Sequence, residues 1–440
     1  MINRWSTDQV LALAPDAASQ KAARKLSSTA RWKDTGISAG DSAVLWGLCA
    51  GSGSSPYQTC VDISGPAYRC SCPSRKFPCK HALALLLCWS DGAVPEDTPP
   101  AWVEQWQQSR TQRASATQTR GAKRTTPADP QAVEKRVVRR AGRVAAGLAE
   151  LDRWLTDQIR QGIAAHQRTG YGFADAMAAR LVDAQAPALA GAVRRLTGIL
   201  GDGELWAARM LEELSLLRLL TVAYQRIDQL PSDLAATVRA RIGFPVAVDE
   251  VLAGERVRDR WQVLGLDDEA EDQVMVRRVW LHGSESDRPA LVLSFAGPGQ
   301  ALAVDLVPGT VIDAELAYYP GSLPLRAVVA ASHGPPEPVG LVIGTSSISA
   351  ALTRYAAALA AEPWLDRWPV LLADVTLTRH SDRWYLRDTA GDALPLRLSV
   401  ESPWRLVATA GGHPVTLLGE WGTSGLRPVS TWNGTRLVAA

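Results

Sequence analysis

Tyr68-Arg69-Cys70-Ser71-Cys72-Pro73-Ser74-Arg75-Lys76-Phe77-Pro78-Cys79-Lys80-His81-Ala82-Leu83-Ala84-Leu85-Leu86-Leu87-Cys88-Trp89 brings four of the chain's six cysteines, a histidine and a long apolar run together. Cys70 and Cys72 stand two apart at the end of a predicted strand, so both project to one side. Pro78 closes the six-residue loop that follows, and the run from His81 to Trp89 reads as a buried helix. Cys79 and His81 at the start of that run complete a set of four soft or borderline donors. A closed four-ligand set is the structural rather than the catalytic arrangement for zinc. The expected design is one structural Zn2+ per chain that fastens a hairpin to a helix through Cys70, Cys72, Cys79 and His81. A helix N-terminus favours thiolates, and Arg69, Arg75, Lys76 and Lys80 offset the negative charge of three of them.

The flanking sequence agrees. Ala43–Cys49 and Tyr57–Ile63 carry strand signals across Gly51-Ser52-Gly53-Ser54-Ser55-Pro56, a hairpin composition. Trp5 to about Leu26 is helical in pattern, with Ser6 or Thr7 as the N-cap. Cys49, Cys60 and Cys88 fit small core positions, and six cysteines confined between Cys49 and Cys88 suit a reducing compartment. The order Cys70-x-Cys72, six residues, then Cys79-x-His81 resembles the SWIM zinc finger, a ββα module, over about residues 57–89. The whole chain resembles bacterial SWIM zinc finger proteins with a helical and β-rich extension. The resemblance implies a binding role toward DNA or protein. It further implies a partner from an AAA-type ATPase or von Willebrand A-domain system.

After Trp89 the composition turns to Asp, Pro, Gln, Ser, Thr and Arg, which predicts a flexible linker over residues 91–130 behind an N-terminal domain of residues 1–90. Between Trp106 and Arg143 ten Lys or Arg face two acids, Asp129 and Glu134, whereas the whole chain carries only +2. From Gln131 apolar residues recur at three- and four-residue steps, predicting about five helices over residues 131–244 with Trp206, Met210, Leu214, Leu217 and Tyr224 as a core stripe. Beyond Pro245 the period becomes two, with turns at Gly297-Pro298-Gly299, Pro308-Gly309 and Pro320-Gly321. A helix from Ile348 to Ala361 divides this antiparallel β-rich region into modules of residues 245–345 and 346–440. The expected class is α+β and multi-domain.

The sequence lacks a Gly-rich phosphate loop, a His-Glu-x-x-His and a Gly-x-Ser-x-Gly elbow, so an enzyme is not expected. It also lacks a signal-peptide pattern and an apolar run of about 18 residues, which predicts a cytoplasmic protein. Two binding roles remain. The chain is an adaptor for protein partners, or it binds nucleic acid through Arg69, Arg75, Lys76 and Lys80 at the finger and Arg110, Arg113, Arg120, Lys123 and Arg124 downstream.

Overall fold

Local capping sets the first element. Ser6 Oγ accepts from Gln9 N at 3.2 Å while Gln9 Oε1 accepts from Ser6 N at 2.7 Å, a reciprocal cap for helix α1 (Thr7–Ala12). The computed structural model describes residues 4–14, 17–38, 43–51, 55–63, 67–72, 74, 78–108, 130–164, 172–201, 203–271, 274–297, 302, 305–397, 403–434 and 436–439. Helix α2 (Ala17–Leu26) follows α1, so the single helical stretch expected there is two helices. A four-stranded antiparallel sheet comes next, in the order β1 (Trp32–Ile37), β2 (Val44–Cys49), β3 (Tyr57–Asp62), β4 (Ala67–Cys70). Helix α3 (Lys80–Ser90) is buried continuously from His81 to Trp89, as a helix apolar on all sides must be. It lies between α1 and α2 and one face of the sheet, sharing a core with Leu45, Cys49, Val61 and Tyr68.

Residues 91–108, expected as linker, belong to this domain. Ile37 N donates to Pro95 O at 2.9 Å, and Val94 enters the core. Residues 101–108 are helical, and Val103 and Trp106 cover Val44, Trp46 and Cys60 on the second face of the sheet. Side chains alternate along a strand, so a sheet apolar on both faces needs two covers. Three apolar residues spaced among polar ones supply the second, and too few of them recur for composition to reveal it. The rest of that linker, residues 109–129, lies outside the described residues.

The helical region packs α5 (Pro130–Gln161), α6 (Asp175–Asp183), α7 (Pro187–Ile199), α8 (Trp206–Gln225) and α9 (Ser232–Ile242), counting residues 101–108 as α4. Pro187 opens α7, where its missing N–H costs nothing. Val144, Leu148, Leu151 and Leu155 of α5 meet Leu181, Leu189, Val193 and Leu196, and the expected stripe supplies Met210, Leu214 and Leu217. Trp206 and Tyr224 lie at the edge of this core.

After a short helix α10 (Val248–Leu252) the chain forms a closed barrel from β5 (Arg256–Glu271), β6 (Val274–Gly283), β7 (Pro289–Ala296), β8 (Thr310–Tyr318) and β9 (Arg326–Ser332), with β10 (Glu337–Pro338) as an extra edge. A bulge between Val263 and Gly265 lets β5 pair with β8 in its first half and with β6 in its second. The ring runs β5-β6-β7-β9-β8 and back to β5. Its closure includes one parallel pair, β7 with β9, which the expectation of antiparallel strands did not contain.

Helix α11 (Ile348–Ala361) leads to a second barrel of β11 (Trp368–His380), β12 (Arg383–Arg387), β13 (Ala393–Pro395), β14 (Val415–Gly422) and β15 (Gly425–Asn433), with β16 (Arg436–Ala439) at the edge. It repeats the design. The long first strand is bulged between Leu372 and Val375, and the ring runs β11-β12-β13-β15-β14. A parallel contact closes it, where Leu396 pairs with Leu426 and Arg397 N donates to Leu426 O at 2.9 Å. Helix α12 (Trp404–Ala410), between β13 and β14, inserts Leu406 and Ala410 into the core.

The barrels pack through outer faces. Leu264, Trp280 and Leu291 of the first meet Leu418, Val429 and Trp432 of the second. A Cβ on Gly265 would lie 2.7 Å from Val429 Cγ1 and 2.9 Å from Leu418 Cδ2, so only glycine allows this approach. The N-terminal domain docks on the same body: α1 lies on β16, and Gln9 Nε2 donates to Gly309 O at 2.9 Å.

Candidate metal centre

Three elements meet at the site. Cys70 ends β4, Cys72 follows in the turn, and Cys79 is the extended residue (φ −73°, ψ 162°) immediately before α3, whose first turn carries His81. All four donor atoms lie within 4.8 Å of one another, and Cys70 Sγ stands 3.7 Å from His81 Nδ1. Tetrahedral bonds of about 2.0–2.3 Å place donors roughly 3.5 Å apart, so these residues fit a zinc-sized ion with little movement. Cys79 and His81 are buried, and Cys70 and Cys72 are half-buried. Among the described residues no other three or more His, Cys, Asp or Glu side chains gather in this way.

Neighbours fix the donors. The Tyr57 ring lies 4.8 Å from the His81 ring at 34°, which sets the plane of the imidazole. Thr59, directly across the ladder from Cys70, shares a 3.2 Å hydrogen bond with its sulfur. The Cys70 thiol is pulled far down by a hydrogen bond from Cys79, against the cost of burial and with help from His81 and Thr59. Cys79 is pushed up by that same bond and by burial, and Cys72 is pushed up mainly by burial. The three sulfurs thus oppose one another's ionisation. A divalent cation would compensate all three, which is the chemistry this donor set suits.

The surrounding cations divide. Lys80 is exposed at the start of α3 and, with Arg31, Tyr57, Cys72 and His81, lines a cleft of about 660 Å³. Arg69 sits between Tyr68 and Cys70 on β4, so it projects from the face opposite the metal ligands, the side of Cys60. It therefore does not join Lys80 around the finger as expected. Arg75, Lys76, Arg110, Arg113, Arg120, Lys123 and Arg124 lie outside the described residues. Sequence reasoning missed Arg31 and Tyr57. The alternation of Tyr57 and Thr59 on the strand beside Cys70 could have located the tyrosine, whereas only the fold brings in Arg31.

The sequence matches the SWIM zinc finger family model over residues 60–90. The chain carries a SWIM zinc finger. A second family model, the SWIM-associated four-helix bundle domain, matches residues 139–242, which span most of α5 and all of α6 to α9. No curated protein and no solved structure matches the chain. In the SWIM finger described here, Cys49, Cys60 and Cys88 are all buried and unbridged, and none is a ligand. Cys88 instead donates to Ser27 O at 3.1 Å.

Proposed function

We propose that this chain is a non-enzymatic adaptor in which one zinc ion staples the SWIM finger and the bundle presents a surface to a protein partner. The observation that carries this reading is the apolar surface of α8. Met210, Leu214 and Leu217 fill the core, yet Leu211 and Leu219 on the same helix are 49% and 44% exposed, with Leu205 beside its N-terminus at 64%. These leucines supply apolar anchor points on the bundle's outer surface for a partner to bury. The closed metal set supports a structural rather than a catalytic role for the ion, because four protein donors leave no position on it for a substrate or water. The partner class is an AAA-type ATPase or von Willebrand A-domain protein, met in the cytoplasm, where free cysteines stay reduced. No helix among the described residues is long and apolar enough to cross a membrane.

The test is quantitative capture from the native host with the wild-type chain and a Leu211→Glu/Leu219→Glu variant. A partner of that class, retained by the wild type and lost by the variant, is the expected result; identical captures refute the proposal. A second reading, duplex DNA at the finger, draws support from Arg31 and Lys80 beside the cleft. It predicts salt-dependent duplex binding that an Arg31→Ala/Lys80→Ala variant weakens. No duplex binding at low salt would dismiss it.

A further inference from the structure

We propose that the outer face of β11, β12 and β13 in the second barrel binds single-stranded nucleic acid. This site is separate from the finger and does not depend on the adaptor reading. Numbered within each barrel, both rings run 1-2-3-5-4 and back to 1, with strands 3 and 5 parallel. That is the Greek-key order of the OB-type barrel, in which extended oligomers lie across the outer face of strands 2 and 3 between the 1-2 and 4-5 loops. In the first barrel this face is consumed, because Trp280, Leu291 and Leu293 lie under the second barrel. In the second barrel it is open. The joint uses β14, β15 and, through Leu371, the first half of β11 instead, whereas β12 pairs with the second half of β11 and makes its substantial contacts only with β11 and β13.

The open face has a specific chemistry. Strand alternation sends Leu386 into the core and leaves Arg383 and Arg387 exposed on either side of half-buried Tyr385. His380, Thr378 and Thr376 stand opposite these three in register on β11. The Cα positions of the two arginines are about 13 Å apart along the strand, with Tyr385 between them. Among the described residues neither arginine has an ion pair. Of the acids nearby, Asp382 pairs with Arg379 at 3.2 Å, Asp388 turns inward to accept from Ile348 N at 2.9 Å, and Asp392 is exposed in the turn before β13. Arg397, just beyond β13, donates to Ser424 Oγ at 3.0 Å and so links strand 3 to the 4-5 loop. Unpaired cations bracketing an aromatic suit phosphates with an unstacked base between them, which is the single-strand mode. A duplex offers no base face to Tyr385, and an acidic peptide offers the arginines charge but the ring nothing to stack on.

The experiment is fluorescence anisotropy of the zinc-loaded full chain with labelled oligo-dT and oligo-rU of about 15 nucleotides, from 50 to 200 mM salt. Binding is expected for at least one single strand, more tightly than for a duplex of equal length. Arg383→Ala/Arg387→Ala should reduce the slope of log K against log salt by about 1.4, and Tyr385→Ala should weaken binding about tenfold. Arg383 and Arg387 project into solvent, so the folded state should survive, and a thermal scan checks this. No binding at 50 mM salt, an unaltered affinity in the Arg383/Arg387 double variant, or equal competition by poly-glutamate would overturn the proposal.

Discussion

Glu420→Ala should loosen the joint between the barrels by about 3–4 kcal/mol, because its side chain is 1% exposed and three side chains donate to its carboxylate. Trp280 Nε1 donates at 2.8 Å, an Arg427 terminal nitrogen at 2.7 Å and an Arg367 terminal nitrogen at 3.2 Å. Breaking a buried ion pair by removing one partner costs roughly 3–5 kcal/mol. Here the lower part of that range applies, since Arg427 keeps Asp267 at 2.8 Å and Arg367 keeps Glu269 at 2.9 Å. The indole N–H of Trp280, almost fully buried, is left without its acceptor and adds to the loss. For a β region of this size each kcal/mol moves Tm by about 2–4 °C, so the barrel transition should fall by roughly 6–16 °C in calorimetry. Glu420→Gln, which keeps the shape and an acceptor, should fall about half as far.

Acid supplies an independent check on the same residue. Burial opposes ionisation of Glu420, but the charge and hydrogen bonds of Arg427, with Trp280 and Arg367, outweigh it and hold the carboxyl below its ordinary 4.5. A group lowered on folding stabilises the protein fully above its unfolded value and loses that contribution as pH falls through the folded one. The gap in Tm between wild type and Glu420→Gln should therefore be constant above about pH 5 and narrow as the pH drops below 4.5. A Glu420→Ala shift under about 2 °C, or a gap that widens in acid, would refute this account of the joint.

The remaining predictions concern the other structural ties. Purified protein should contain one zinc per chain by elemental analysis; His81→Ala and Cys79→Ser should lose it, and hydrogen exchange should show α3 and β1 to β4 deprotected, since structural zinc binding is coupled to folding. Gly265→Val should lower the barrel transition by about 1–3 kcal/mol, as its side chain would have to displace Val429 and Leu418. Trp364→Ala should cost about 3–5 kcal/mol in the helical transition, because Trp364 is 9% exposed in the bundle core and its Nε1 donates to Leu216 O at 3.0 Å. Retained bundle stability in that variant would mean the tryptophan is not the tie between bundle and second barrel.

The amino-acid sequence alone determined what local spacing encodes. Four metal donors lie within twelve residues, so Cys70, Cys72, Cys79 and His81 could be read as one set before any fold was known. The helices were legible because three- and four-residue apolar steps follow directly from helical geometry, and the stripe of Met210, Leu214 and Leu217 is buried as that period requires. The change to period two beyond Pro245 likewise announced sheet.

Tertiary structure decided which strands meet and which faces stay open. Closure of each barrel pairs strands 3 and 5 across an intervening strand, and an alternating pattern states that a strand has an inside without naming its neighbour. Only the closed sheets reveal that Trp280 is sealed in a joint while Arg383 and Arg387 face solvent. Only the folded N-terminal domain shows that Val103 and Trp106 roof the second face of its sheet, and that Arg69 points away from the ligands beside it in sequence. Side-chain period is local, but burial depends on what the rest of the chain places on each face, and that is settled by contacts hundreds of residues apart, such as Gln9 with Gly309.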